Sequence, residues 1–427
     1  MKKLFSTLLF LSSLQISFAQ NTDGEALFAT VKKFVALGEH RTGTKTDFAT
    51  SQWLKNDLDK WGFKTEFVTF PLTQFFFEKG NISIGSKQLD VLPLWPVSPK
   101  INLSQNGVLV NGDKAKDLSE VKGKLVLTTL PQAGGALNEA IEKHLDKFIQ
   151  AGAKGILAIT PSNTGEIVAH NTRESTQAWA IPVWQVASKD TVLFQSAITS
   201  GSEIAVNIQG KSQAIEARDI VGRIGNGKKY VVISTPISGW FTCGGERGPG
   251  LATWLALAEW VSKNPSQFAD YTFVFTGNSG HELDNHGANV FAEKAAPKPE
   301  DTRLWIHLGA AIAAKAWKKE NGQLILTDEV DGNRTIYYDE SVADAFEKSF
   351  ANIKARKGKG TTANKGIVKP GGEGSLYQAK GYKNLVSLAY GHRLHHVKTD
   401  DENTTSPALL VEITDALKAF ITAELQK

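Results

Sequence analysis

The amino-acid sequence predicts an α/β protein in which a mostly parallel sheet is covered by helices and carries a small β-rich insert. Apolar runs typical of buried strands alternate with amphipathic helical segments over the second half of the chain. This alternation favours a largely parallel sheet with helices on both faces. Between about residues 80 and 215, short strand-like segments are instead separated by Gly, Asn, Asp and Pro turns. With 427 residues the chain also exceeds the roughly 250–300 at which a single core stops growing, so more than one compact unit is expected.

The first half of the chain contains both helical and strand-like periodicity. Apolar side chains recur every three or four positions in two early segments, which predicts helices over 23–37 and 46–61. Residues 64–70 alternate as a strand does. Further on, a helix is predicted over 137–151, and strands are predicted over 107–110, 124–128, 152–159 and 180–183.

The second half alternates strands and helices. Strands are predicted over 217–224, 230–234, 271–276, 304–308 and 385–388. Helices are predicted over 250–262, 289–295, 342–352 and 408–423. Because ligands bind beyond the carboxyl ends of the strands in such sheets, a site is expected in the loops after Ser234, Thr276, Leu308 and Leu388.

The same patterns predict where the units begin and end. The main α/β domain is expected to be discontinuous, over 20–79 and 216–427, with the insert over 80–215. The formal charge of +4 and the average content of charged residues call for no nucleic acid as partner. The single cysteine, Cys243, excludes an internal disulfide and a Cys-rich zinc module.

The first 19 residues are predicted to be a signal peptide. Lys2 and Lys3 precede an apolar run from Leu4 to Leu11, and Ser17-Phe18-Ala19 fits the small-x-small cleavage rule. The mature chain is therefore expected to start near Gln20 and to work outside the cytoplasm, in the periplasm or the medium. No later run approaches the roughly 20 apolar residues that span a bilayer, so no membrane span is expected.

Reactive side chains concentrate in three of the predicted strand-end loops, over 235–250, 277–288 and 389–401. Five of the nine histidines lie in the last two. A solvated polar loop would explain any one of these stretches, but three at one edge of a sheet favour a binding or catalytic site. The candidate site residues are Trp240, Cys243, Glu246, Arg247, His281, Glu282, Glu373, His392, His395 and His396.

Several ordered motifs carry a resemblance to a known family. They are RTGT before a helix, ARDIVGRIGNGKKYVVIS before the first loop, GPGLATWLALAEW after it and HHVKTDDENTT near the end. Together they resemble the secreted zinc aminopeptidases and glutamate-carboxypeptidase-like exopeptidases, to which glutaminyl cyclases are related. VKGKLVLTTL, KFIQAGAKGILAI and AIPVWQV resemble the protease-associated domain of such enzymes. The resemblance implies a zinc-exopeptidase fold with a protease-associated-like insert.

The resemblance also implies five ligands for two zinc ions, and three of them are replaced here. The first His falls on Thr235, the bridging Asp near Gly245 and the second Asp on Gly309. Only the ligands at Glu282 and His396 are kept. Two ligands do not hold two zinc ions, each of which needs about three or four donors. We therefore expect at most one zinc ion and no dinuclear centre.

Three functions follow from this altered site, and the first is a hydrolase acting on a peptide or other amide bond. One zinc would be held by Glu282, His396 and one of His281, Cys243 or Glu246. His281, which replaces the family's general-base Glu, would then move the proton. Arg247 would stabilise the oxyanion or bind a substrate carboxylate. Because His281 and Glu282 lie in a loop, replacing them is expected to change stability by less than about 1 kcal/mol.

The second function is a metal-independent glycoside hydrolase, and the third is a peptide or glycan binder without catalysis. Glycoside hydrolysis needs two carboxyl groups, for which Glu246, Glu282 and Glu373 are the candidates. A tryptophan such as Trp240 would stack on a sugar. The residues expected to contact the substrate in any of these functions are Trp240, Cys243, Glu373, His392 and His395. The amide hydrolase comes first because it is what the resemblance implies.

Overall fold

The computed structural model describes residues 22–427 apart from 133, 174, 332, 333, 335, 354–368 and 390. The predicted signal peptide over 1–19 lies outside these residues. The α-helices are α1 (Gly24–Ala36), α2 (Lys45–Lys60), α3 (Glu139–Gln150), α4 (Thr191–Ser200), α5 (Gly244–Lys263), α6 (His286–Lys294), α7 (Ala343–Ser349), α8 (Glu373–Ala379) and α9 (Pro407–Leu425). The helices within the described ranges are all too short or too polar to cross a membrane.

The first eight strands run from the N-terminal region through the predicted insert. They are β1 (Lys64–Ile84), β2 (Lys87–Asp90), β3 (Leu92–Pro93), β4 (Gln105–Asn111), β5 (Leu125–Thr129), β6 (Gly155–Thr160), β7 (Val183–Ala187) and β8 (Glu203–Ile224). The later strands are β9 (Lys229–Pro236), β10 (Tyr271–Asn278), β11 (Thr302–Leu308), β12 (Lys315–Glu320), β13 (Gln323–Val330), β14 (Ile336–Tyr338) and β15 (Leu385–Leu388).

The main part of the sheet is mixed and mostly parallel, as the sequence predicts. Its strand order is β14-β15-β11-β9-β10-β8. Strands β15, β11, β9 and β10 are parallel, whereas β14 and β8 add at the two sides in antiparallel orientation. All four parallel strands therefore point their carboxyl ends to one edge.

Helices cover both faces of this sheet because its strands are apolar on both sides. On β9, Val231 and Ile233 join a core with α1, α5 and α9, whereas Val232 joins a second core with α6 and α8. Such continuous burial is what a parallel strand between two helical layers requires. The α/β class with a covered, mostly parallel sheet is confirmed.

The hydrogen-bonded path continues from β8 into the predicted insert, in the order β8-β4-β5-β6-β7-β3. The long strands β1 and β8 pair with each other and extend past residues 80 and 216. Strands β4 to β7 are parallel to one another, and α3 and α4 lie in the same stretch. The stretch thus has its own small α/β arrangement, while its division from the rest as a domain remains a prediction.

One difference from the predicted elements that bears on the site is the start of α5, which begins at Gly244 and not near Gly250. The segment GGERGPG has the composition of a loop, but Asp400 caps the helix. Its carboxylate accepts hydrogen bonds from the backbone N–H groups of Gly245 (2.8 Å) and Glu246 (3.0 Å). A Cβ atom at Gly244 would lie 2.3 Å from the backbone of Asp401, so only glycine allows this close approach.

Candidate functional site

The candidate site lies where the loops after β9, β10 and β15 meet. The loop after β9 leads into α5 and supplies Glu246 and Arg247, whereas the loop after β10 supplies His281 and Glu282. The loop after β15 supplies three histidines, His392, His395 and His396. Glu373 is the first residue of α8 and reaches the same place from another element. Because parallel strands share one carboxyl edge, residues far apart in sequence become neighbours here.

Glu282 is buried and both of its carboxylate oxygens accept hydrogen bonds. The backbone N–H of Thr42 donates to Oε1 at 2.5 Å, and the hydroxyl of Ser238 donates to Oε2 at 2.8 Å. The Ser238 hydroxyl also accepts a hydrogen bond from the backbone of His281. Glu282 therefore ties the RTGT turn to two site loops, and its role here is that of an anchor.

Glu246 is equally buried but has a different environment. Its Oε1 lies 2.7 Å from Nη2 of Arg247, 3.3 Å from Nε2 of His396 and 3.7 Å from Nδ1 of His395. Within the described chain, neither of its oxygens accepts a hydrogen bond of good geometry. Burial raises the pKa of Glu246, but Arg247 and the two histidines hold it well below its usual value. Glu246 is therefore a carboxylate in the folded protein.

His396 presents a nitrogen lone pair to that carboxylate. Its Nδ1 donates a hydrogen bond of 2.9 Å to the backbone oxygen of Ala169, which leaves Nε2 without a proton in the neutral ring. His395 stacks on His396 with ring centroids 3.8 Å apart. Two acceptor atoms 3.3 Å apart, Nε2 and Oε1 of Glu246, repel each other unless a proton or a cation lies between them.

Among the residues that the structure describes, Glu246, His395 and His396 form a group that could hold a metal ion. One donor atom from each lies within 4.8 Å of the others. Nε2 of His396 and Nδ1 of His395 have no hydrogen-bond partner in the described part of the chain. Three protein donors are the usual number in a catalytic zinc site, so these residues fit one zinc ion. The group contains two candidate ligands from the sequence, His396 and Glu246, together with His395, and it does not include Glu282.

His281 and Glu373 form a second pair beside this group. Nδ1 of His281 lies 3.4 Å from Oε1 of Glu373, and Nδ1 of His307 lies 3.9 Å from Oε2. Burial, and then the charge of Arg247, lower the pKa of His281 well below its usual value. Burial raises the pKa of Glu373 to about 8. Near pH 7 the pair thus consists of a neutral imidazole and a protonated carboxyl group.

Arg247 lies inside the site, and solvent does not reach it. Its side chain is fully buried, and its Nε donates a hydrogen bond of 3.0 Å to the backbone oxygen of Ser238. The guanidinium in this position balances the charge of Glu246, and, in addition to burial, its positive charge lowers the pKa of His281. Arg247 thus faces protein groups in the folded chain, and its direct contact with a substrate stays a prediction.

Of the five residues predicted to contact the substrate, only His395 reaches the solvent, with its side chain 25% exposed. Trp240 is packed against Trp95, and its Nε1 donates to Asn171. Glu373 and His392 are buried, and His392 lies 3.3 Å from Asp400, the residue that caps α5. Trp240, Glu373 and His392 thus contact protein groups in the folded chain, and their contact with a substrate stays a prediction.

Cys243, the fourth of the buried residues in this group, precedes α5 and has a left-handed backbone (φ 38°). Burial, and then the charge of Glu246, raise the pKa of its thiol well above the usual value. A protonated thiol without access to solvent is neither a nucleophile nor a metal ligand. Cys243 therefore packs within the fold, and its contact with a substrate stays a prediction.

Two positions assigned by resemblance to the missing zinc ligands have other functions. The Thr235 hydroxyl donates a hydrogen bond of 2.8 Å to the backbone oxygen of Leu308. A Cβ atom at Gly309 would lie 2.8 Å from the Cβ atom of Ala389 and 3.0 Å from Nε2 of His307. The resemblance places the third replaced ligand, the bridging Asp, near Gly245. The next residue, Glu246, is the one whose carboxylate lies beside His396.

Sequence reasoning missed several supporting residues of the site. Ser238 lies in a predicted loop, but a serine among polar residues gives no distinguishing signal. His307 lies within the buried strand β11 and was not a candidate. Ala169 acts through its backbone oxygen, which any residue type would offer. Of these residues, only His307 could have been found from the sequence, because it is a histidine inside an otherwise apolar strand.

Two surface cavities lie beside the described elements. One of about 530 Å³ is lined by residues of α1, α2 and α5, with Trp53, Trp61 and Trp260 among them, and none of the candidate residues lines it. The other, of about 310 Å³, lies between Phe241 of the first site loop and Glu166 and Ile167 of the predicted insert. None of the candidate residues lines this second cavity either, and it reaches the site loops at Phe241 and Lys398.

Solved structures with a similar architecture are peptidases. A zinc aminopeptidase from Bacillus subtilis has 14% identity and a TM-score of 0.71, with 93% of this chain and 94% of that chain covered. A peptidase M28 precursor from Shewanella amazonensis has 16% identity and a TM-score of 0.67, with 93% of each chain covered. An aminopeptidase from Aneurinibacillus has 13% identity and a TM-score of 0.60, with 94% and 93% covered. No family model and no curated protein sequence matches the chain.

At these identities the likeness shows the fold alone. The chain therefore has the zinc-exopeptidase fold over almost its whole described length, in agreement with the expectation from the sequence motifs.

Proposed function

We propose that this protein is a hydrolase that works outside the cytoplasm and cleaves an amide bond of a small peptide, with one zinc ion at most. The observation that carries the proposal is the group of Glu246, His395 and His396. One possible metal-ligand atom from each residue lies within 4.8 Å of the others, and these atoms accept no hydrogen bond of good geometry from the described residues. The fold shared with zinc aminopeptidases supports a peptide substrate. The sequence of residues 1–19 supports the location.

The three residues of this group would hold the ion, and Asp400 would keep Glu246 in place through the start of α5. A zinc ion bound there would act as a Lewis acid on the carbonyl group of the substrate. A position for a second ion would require the ligands that Thr235 and Gly309 replace.

His281 would transfer the proton in this hydrolysis. Its side chain is 13% exposed, and its Nδ1 faces Glu373 at 3.4 Å, which leaves Nε2 for exchange with water or the leaving amine. The low pKa of His281 keeps the imidazole neutral and able to accept a proton. Glu373, which is itself protonated near pH 7, orients the ring through this contact.

Metal analysis combined with a peptide screen tests the proposal. Purified protein is expected to bind close to one zinc ion per chain and to cleave members of an aminoacyl and dipeptide amide library. Glu246→Gln should lose the zinc, and His281→Gln should keep the zinc but lose roughly 100-fold or more in rate. An exposed variant, Glu300→Gln, is the control. Absence of both zinc binding and cleavage would contradict the proposal.

A second candidate function, metal-independent glycoside hydrolysis, is favoured by one observation. The site contains buried carboxyl groups in opposite states, because Arg247 and the histidines keep Glu246 ionised while burial keeps Glu373 protonated. A glycoside hydrolase needs one carboxyl group of each kind. Both oxygens of Glu282 are hydrogen-bonded, so Glu373 would be the acid and Glu246 the base or nucleophile.

A screen of aryl glycosides and oligosaccharides, run with and without a chelator, separates the two candidates. Chelator-resistant cleavage that Glu373→Gln abolishes would establish the glycosidase. Chelator-sensitive cleavage of amides would establish the peptidase. Binding without conversion of any substrate would leave the third function predicted from the sequence, that of a peptide or glycan binder.

A further inference from the structure

A segment of the predicted insert, residues 166–172, crosses from the insert to the candidate site; we call it the bridging segment. Ala169 contacts His396 twice. Its backbone N–H donates a hydrogen bond of 3.0 Å to the backbone oxygen of His396, and its own oxygen accepts from Nδ1 of His396 at 2.9 Å. His396, which has a left-handed backbone (φ 61°), is therefore held at both its main chain and its ring.

The bridging segment also binds the other two site loops. The backbone N–H of Thr172 donates a hydrogen bond of 2.9 Å to the backbone oxygen of Glu282. The side-chain oxygen of Asn171 accepts from Nε1 of Trp240 at 2.7 Å. Three loops of the main sheet thus meet a single short stretch of chain.

A second part of the predicted insert, at Gly135, packs closely against the ring of His396. Gly135 lies so close that a Cβ atom there would be 2.0 Å from Nδ1 of His396 and 2.6 Å from its Cε1. The backbone oxygen of Gly135 accepts a hydrogen bond of 2.7 Å from the N–H of Asn171, so Gly135 and the bridging segment are joined. The backbone of Gly135 is not left-handed, and it is therefore the missing side chain, not the conformation, that the site needs here.

Apolar packing also joins the bridging segment to the loop that contains His395 and His396. Val168 of the bridging segment packs in one cluster with Leu394 and Val397, which flank the two adjacent histidines. Thr399 further donates a hydrogen bond of 2.6 Å to the carboxylate of Glu166. The histidine loop and the bridging segment are therefore expected to move together.

We propose that Gly135 and the bridging segment are positioning elements of the site, which set the tautomer and the ring orientation of His396. With Nδ1 donating to Ala169, Nε2 is free to face Glu246 and His395. The inference rests on the proposed function for the use of Nε2, but the tautomer itself is a property of the protein without metal or substrate. The predicted insert then contributes to the site directly, through the contacts of Ala169 and Gly135 with His396.

The test uses Gly135→Ala, with Gly107→Ala as the matched control. Gly107 lies on β4 of the same insert, and a Cβ atom there meets its nearest neighbour at an ordinary 3.5 Å. The tautomer of His396 is read from nitrogen NMR of histidine-labelled protein, with the signal assigned by its loss in His396→Gln. Wild type and Gly107→Ala should show an Nδ1 that is protonated and hydrogen-bonded to Ala169, and Gly135→Ala should lose that signature.

Titration with zinc alone is the second measurement. The affinity of Gly135→Ala should fall by roughly 10–100-fold, as for other changes in groups that orient a metal-binding histidine, while Gly107→Ala matches the wild type. If the wild type binds no zinc, the proposed function fails while the tautomer measurement still decides the positioning role. An unchanged His396 signal in folded Gly135→Ala would overturn the inference.

If Gly135→Ala does not fold, Trp240→Phe replaces it. This change removes the hydrogen bond to Asn171 and keeps most of the packing. It should broaden or shift the Nδ1 signal of His396. A signal identical to that of the wild type would again overturn the inference.

Discussion

Two buried glutamates in the site, Glu282 and Glu246, differ in how their charges are compensated. Glu282 is surrounded by donors, and both of its oxygens accept hydrogen bonds. Glu246 faces one guanidinium and two imidazoles and accepts no hydrogen bond of good geometry within the described residues. A fully hydrogen-bonded carboxylate stabilises the fold, whereas one with free acceptor positions is available to a ligand. Burial alone does not distinguish the two.

Removing the charge of Glu246 should have the largest effect. Glu246→Gln leaves the Arg247 guanidinium buried without a counter-charge, which should lower the free energy of unfolding by about 3–5 kcal/mol. Zinc binding should be lost as well. Denaturant unfolding and zinc titration measure the two effects.

The double variant Glu246→Leu/Arg247→Met separates these effects. It removes both charges and should recover most of the lost stability without recovering zinc binding. If Glu246→Gln is as stable as the wild type, the ion pair with Arg247 does not exist as described.

Changing Glu282 should have a smaller effect on stability and almost none on zinc. Glu282→Gln can accept only one of the two hydrogen bonds and should cost about 1–3 kcal/mol. This exceeds the change of less than about 1 kcal/mol expected from the sequence, because the side chain is buried and not free in a loop. A loss of zinc with unchanged stability would instead support the ligand role that the resemblance implies.

Glu373 provides a pH test of a third buried glutamate. Its pKa of about 8 in the folded protein lies above its ordinary value, so the folded state holds this proton more tightly than the unfolded chain does. The free energy of unfolding should therefore fall as pH rises toward 8, by at most about 1.4 kcal/mol per pH unit for one proton.

The comparison is best made between pH 6.5 and 8. Burial lowers the pKa of His40 and of His307 to about 3, so these groups make stability rise with pH only up to about 6.5, where they titrate in the unfolded chain. Burial also raises the pKa values of Asp47, to about 7, and of Asp219, so Glu373→Gln should reduce the decline above this pH without abolishing it, and exposed Glu300→Gln should leave it unchanged. Equal slopes in all three proteins would show that Glu373 is ionised in the fold.

The smallest effect is expected at Cys243, which lies beside Glu246 in the same buried region. At pH 8, iodoacetamide should modify the thiol of the native protein roughly 100-fold or more slowly than the thiol of the unfolded chain. Mass spectrometry follows the labelling. Cys243→Ala should bind zinc like the wild type, and rapid labelling of the native protein would contradict its assignment to packing.

Much of the architecture was predictable because it depends on local patterns. The strand over 385–388 and the helices near 24–36 and 45–60 follow from apolar spacing and end signals within a few residues. The start of α5 was not predictable, because its cap, Asp400, lies 155 residues from Gly245 along the chain. The burial of Trp240 and His392 was not predictable for a related reason, because residue type does not reveal which side chains become covered.

The sequence by itself therefore determined the α/β class, the order of its elements and the loops in which reactive side chains collect. The tertiary structure alone decided which of those side chains meet. Thr42 and Glu282 are 240 residues apart, and Ala169 and His396 are 227 apart, yet each pair forms a hydrogen bond. Periodicity arises from the geometry of neighbouring residues, whereas hydrogen-bond satisfaction and charge compensation depend on partners that only folding brings together.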